Sequence, residues 1–139
     1  MTVSERPRAL HRVGALLAGL LVVVSLSTAA DALLHATGVY PPAGQPMADG
    51  LFLLATAYRL AFGTLGSLVA ARLAPVRPMW HAVALGAVGT VLAALGLVAT
   101  WNAALGPRWY PVALVLTALP CAWVGGRLAE AASRPHTPR

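Results

Sequence analysis

Lysine is missing altogether, and acidic side chains nearly so: of 139 residues only Glu5, Asp31, Asp49 and Glu130 carry a carboxylate. Charged residues make up 10% of the chain, against roughly 25% in a soluble domain. So few charges cannot coat a water-facing surface, which excludes an ordinary soluble domain and makes lipid the expected solvent. The single cysteine, Cys121, excludes an intrachain disulfide and any multi-cysteine metal site. It falls in an apolar run, where a small packing residue is expected. Enzymatic signatures are absent as well. The chain has no HExxH, GxSxG, P-loop or GxGxxG, and no pair of carboxylates within an apolar run. Catalytic residues, cofactor sites and metal sites are therefore not expected, and the chain does not read as an enzyme.

What is present is apolar length. Hydrophobic residues account for 58% of the chain, and the mean hydropathy is +0.73. Four spans of about 20 residues with short connections use up nearly all of it. The expected fold is all-α: one integral membrane bundle of four transmembrane helices, up-and-down, over residues 1–132. The helices are expected at about 10–37, 50–72, 79–104 and 109–130, with a disordered cytoplasmic tail at 133–139.

The first run, Val13 to Ala30, follows Arg6, Arg8 and Arg12. It has the outline of a signal peptide, with Ala30-Asp31-Ala32 as a cleavage site. A signal core is usually about 7–15 residues, whereas apolar character continues here through Leu33 and Leu34. A retained first helix is the better reading.

All ten basic residues are arginine, and the net charge is +6. In a soluble protein that charge would suggest nucleic acid. Here the arginines lie mostly between or beyond the spans, so they read as topology determinants and lipid contacts, and no nucleic-acid partner is expected. Eight of them (Arg6, Arg8, Arg12, Arg72, Arg77, Arg127, Arg134, Arg139) fall on one side of a four-span arrangement and only Arg108 on the other. The positive-inside rule then puts both termini and the middle connection in the cytoplasm. Tyr40, Trp101, Trp109 and Tyr110 fall at the expected outer interface, and Trp80 and Trp123 towards the inner one. The composition suits a bacterial inner membrane.

Small residues recur at helical spacing. Ala82, Gly86, Gly89, Ala93, Gly96 and Thr100 mark one seam of the third helix, and Thr56, Arg59, Gly63, Gly66 and Ala70 one of the second. Lipid gives helices no hydrophobic drive to associate, so close backbone approach along such seams must supply it. The two seams are expected to face each other. The alternative is that glycine faces line a substrate path. A faint repeat, Val69-Ala-Ala-Arg-Leu-Ala74 against Val124-Gly-Gly-Arg-Leu-Ala129, fits either a duplicated hairpin or a common way of ending a span. Pro120, inside the fourth helix, is expected to kink it.

Arg59 is the most informative single residue. It lies about 13 Å into the second helix at 1.5 Å per residue, where a charge costs roughly 2.5–3.5 kcal/mol on insertion scales and normally has a partner. Asp31, near the outer end of the first helix, is the only carboxylate at a comparable depth, so the two form a candidate intramembrane pair. Thr28 and His35 are spaced to share a helical face with Asp31 and are candidate associates; a proton relay or a cation site is one reading of the stripe, and structural pairing with Arg59 is the better one.

Size and span number are similar to the small multidrug-resistance transporters, but those rely on a glutamate inside the first helix and no Glu lies in a span here. The stretch from Tyr58-Arg59 through Arg72-Leu-Ala-Pro75 to Trp109-Tyr110-Pro111 and Pro120-Cys-Ala-Trp-Val-Gly-Gly126 resembles uncharacterised small bacterial four-helix inner-membrane proteins. That resemblance implies a fold but no activity. The expected function is a structural or accessory component of the membrane, working with lipid, with a second copy or with a partner membrane protein. The alternative is a small-solute or proton-coupled transporter acting as a homo-oligomer.

Overall fold

The structure is a computed structural model, described over residues 5–42, 44–103 and 106–133. Four helices follow one another: α1 (Glu5–Ala36), α2 (Asp49–Leu73), α3 (Pro78–Thr100) and α4 (Trp109–Ala132). All four are long and apolar enough to cross a membrane, and the described residues include no strand.

Local chemistry sets the ends. Gly38 turns the chain out of α1 with φ +73°, a conformation glycine adopts without a Cβ clash. Pro75 follows the end of α2, and Pro78 opens α3, where a missing N–H is harmless. Arg77, just before Pro78, is the one non-glycine residue of positive φ among the described residues, at 51°. Two boundaries differ from expectation. α1 starts at Glu5 rather than near residue 10, because the arginine-rich lead-in continues the helix beyond the apolar run. α3 ends at Thr100, not near 104: the Trp101 N–H turns to the Val98 carbonyl and that of Ala103 to Thr100, a tightened last turn that the apolar composition of 103–105 conceals. Residues 134–139, most of the expected tail, lie outside the described residues, as do Ala104 and Leu105. α4 continues through Pro120.

α2 is the centre of the bundle. It packs against α1, α3 and α4, whereas α1 and α4 do not meet among the described residues. The connections 37–48 and 101–108 share one end (the two-loop end), and 74–77 lies at the other. Neighbouring helices run antiparallel, and α2 and α4 run parallel.

Backbones touch where glycine removes the side chain. At the α1–α2 crossing a methyl on Gly19 would stand 2.6 Å from the Gly66 carbonyl oxygen and 2.8 Å from the Ala70 methyl. At the α2–α4 crossing one on Gly125 would stand 2.9 Å from the Leu68 nitrogen. A methyl on Gly86 would run into Ala122 of α4, 3.3 Å from the Ala118 carbonyl oxygen. The expected pairing of the α2 and α3 seams is therefore wrong. Gly66 faces α1, and Gly86 faces α4. Periodicity marks the face of a helix that packs but not the helix it packs on.

The repeat falls where the helices approach the single-loop end. Ala70 and Ala71 in one copy, Gly125 and Gly126 in the other, are buried, while Arg72 and Arg127 are exposed. Ala71, Ala82 and Ala129 close this end of the core. His81 is buried beside them, with Nδ1 3.2 Å from the Arg77 carbonyl oxygen and no partner for Nε2.

Candidate functional site

At the two-loop end the polar groups gather. Asp31, on the last turns of α1, and Arg59, on the third turn of α2, meet with Nη2 2.7 Å from Oδ2. The second carboxylate oxygen, Oδ1, accepts the hydroxyl of Tyr58. Behind it the Tyr40 hydroxyl lies 3.3 Å from that of Tyr58 and 3.4 Å from the Leu51 carbonyl. A phenol has one proton, so Tyr40 donates to one of these at a time. Both oxygens of Asp31 are thereby partnered, as a partly buried carboxylate requires.

Two members of this network, Tyr58 and Tyr40, are not candidates on sequence grounds, Tyr40 being expected in the interfacial aromatic belt. It is instead buried, at 4% exposure. The turn at Gly38 brings it back under α1, where its N–H reaches the Leu34 carbonyl at 3.0 Å and its ring meets that of His35 edge-on. Tyr58 carried a usable signal. A phenol one residue from a mid-span arginine needs an acceptor, and Asp31 is the one carboxylate at that depth.

Thr28 and His35 do not join the pair. Both are exposed, and His35 contacts the Tyr40 ring rather than the carboxylate. Their spacing places them along the same helix, but Thr28 is rotated from Asp31 by about 60° and His35 by about 40°, enough to leave only Asp31 turned towards α2. Among the described residues no cluster of three His, Cys, Asp or Glu could hold a metal ion.

Arg59 also faces a cleft. Towards the two-loop end α2, α3 and α4 border an opening of about 630 Å³, lined by Phe52, Arg59, Leu97, Asn102, Arg108, Tyr110 and Leu114 among others. The far half of the α3 seam opens onto it: Gly96 and Thr100 are exposed lining residues, and a methyl on Gly96 would touch nothing within 4 Å. One seam thus serves two purposes, packing at Gly86 and lining at Gly96. Phe52 tilts against Tyr110 at 5.2 Å between ring centroids, and the Arg108 guanidinium lies 5.1 Å over the Trp101 ring.

The donors of Arg59 are not all used. Asp31 takes one of the five N–H groups a guanidinium presents, and the buried Nε has no hydrogen-bond partner. Both arginines line the cleft and no carboxylate does. Comparison with protein-family models, with curated proteins and with solved structures finds no match to this chain.

Proposed function

We propose that this chain is a small accessory component of a bacterial inner membrane, N-in and C-in, which binds a ligand or a partner's group in an outward-facing cleft. One observation carries the reading: Arg59, anchored by Asp31, lines an opening of about 630 Å³ at the two-loop end. That volume lies within the roughly 300–1,000 Å³ of ordinary ligand pockets. Arginine placement supports the orientation, since the connections at the two-loop end hold Arg108 alone while Arg72, Arg77 and Arg127 lie at the other end.

A small-solute or proton-coupled transporter is the second reading, favoured by a charged pair within the spans. The close contacts at Gly86 and Gly125 speak for a cleft closed towards the cytoplasm, so passage would require several copies or a large rearrangement.

The test is chemical access. In a Cys121→Ala background, Leu114→Cys should react in whole cells with a membrane-impermeant maleimide, and Ala129→Cys should not. A Leu114→Cys protein that reacts only after the cells are opened would refute the outward cleft. Flux of a solute that is lost in Asp31→Asn with folding intact would replace the accessory reading with the transporter.

A further inference from the structure

We infer that the cleft holds one anionic amphiphile, with its phosphate or carboxylate on the Arg59 guanidinium and its apolar body along Phe52, Leu97 and Leu114. The inference rests on the cleft being the binding site proposed above and names its ligand class.

Charge selects an anion. Arg59 and Arg108 line the opening, and Asp31 reaches Arg59 from α1 without lining it. The cleft therefore has two positive groups on its surface and one negative group behind. The guanidinium has unused N–H donors, and its planar fork suits the paired oxygens of a carboxylate or phosphate.

Depth and wall chemistry select an amphiphile over a hydrated ion. Arg59 lies ten positions after Asp49, the start of α2, or about 15 Å along the axis. An inorganic anion reaching it would shed its water against Phe52, Leu97 and Leu114 and gain nothing from them. A molecule with an apolar body gains from the same walls, at about 25 cal/mol per Å² buried. At the mouth, Arg108 over Trp101 offers a cation at headgroup level that draws anions towards the opening.

Two sources share this chemistry, a lipid phosphate and a free long-chain acid, and probes separate them. The purified full chain in a neutral maltoside detergent is titrated with lysophosphatidylglycerol, laurate, dodecanol and inorganic phosphate, and bound ligand is counted by native mass spectrometry. One molecule of lysophosphatidylglycerol or of laurate should bind per chain, and whichever binds names the source. Dodecanol and phosphate should bind at least about tenfold more weakly, a difference of roughly 1.4 kcal/mol. Arg59→Gln alone leaves Asp31 unpaired, so the charge is removed in the Asp31→Asn/Arg59→Gln double variant. Leu114→Trp fills the cleft while leaving both charges in place. Each should lose binding by about tenfold or more. Dodecanol binding as tightly as laurate, or undiminished binding in both variants, would overturn the proposal. If neither anion binds while Leu114→Cys still reacts from outside, the ligand class is wrong and the cleft stands. If the label fails too, both fall.

Discussion

Arg59 Nη2 stands 2.7 Å from Asp31 Oδ2, joining two consecutive helices across 28 positions of sequence. The pair is partly exposed, with about a third of each side chain accessible, so it lies between a surface pair of little worth and a buried one whose breakage is severe. Asp31→Asn and Arg59→Gln should each lower thermal stability in detergent, and the double variant should lose less than their sum. A coupling of about 0.5–3 kcal/mol is the range for groups in one network. Strict additivity would mean that the contact contributes nothing to stability.

Tyr58 and Tyr40 should differ in weight. Tyr58 donates to a charged oxygen, a bond worth roughly 1.5–3 kcal/mol, whereas Tyr40 makes longer contacts to neutral groups, worth roughly 0.5–1.5 kcal/mol. Tyr58→Phe should therefore melt at a lower temperature than Tyr40→Phe. In an Asp31→Asn background the gap should narrow, because the charged acceptor is gone. A Tyr58→Phe protein as stable as wild type would remove Tyr58 from the network.

Much of this arrangement is legible in the chain, and the illegible part has a physical pattern. Helix number and most boundaries follow from apolar length and from Pro75, Pro78 and Gly38, which act locally. The meeting of Asp31 and Arg59 follows from depth alone, since a rise of 1.5 Å per residue converts position into height. Rotation about the helix axis is less accessible. Thr28 and His35 share a stripe with Asp31 yet turn away, because small angular offsets decide which member of a stripe meets a neighbour. Choice of neighbour is the least accessible of all. Gly66 and Gly86 both advertise a small face, and nothing in the spacing assigns one to α1 and the other to α4. The cleft is of the same kind, bordered by residues of three helices, and no local pattern in any one of them records it.

The glycines of α3 should grade in effect with the neighbour each meets. A side chain on Gly86 runs into Ala122, one on Gly89 comes no closer than 3.9 Å to Ala118, and one on Gly96 meets open space. Gly86→Leu should then be the most damaging, Gly89→Leu intermediate and Gly96→Leu nearly neutral for stability in detergent. Forcing extra volume into a close contact costs roughly 1–3 kcal/mol, and here it also separates backbones whose contact is the main attraction. Gly96→Leu should instead reduce ligand binding, because its side chain enters the cleft. Equal melting temperatures for the Gly86 and Gly96 variants would refute the α3–α4 crossing at Gly86.

Orientation is tested by where a folded reporter can be reached. Alkaline phosphatase is active only once exported, so fusions after Gly44 and after Gly106, both at the two-loop end, should be active. Fusions after Val76 and after the last residue should be inactive. The basis is electrostatic: arginines close to the ends of spans are retained on the cytoplasmic side, and Arg72, Arg77 and Arg127 lie within a few residues of the ends of α2, α3 and α4. Arg108 is the opposing residue, and its guanidinium is held over Trp101. Replacing Arg72 and Arg77 with Gln while adding two arginines beside Arg108 should weaken or invert the pattern, raising the activity of the Val76 fusion. Activity from the C-terminal fusion in the unaltered chain would contradict an even number of crossings. The loop pattern unchanged after the arginine swap would mean that the retained charges ahead of α1, at Arg6, Arg8 and Arg12, orient the bundle without help from the middle connection.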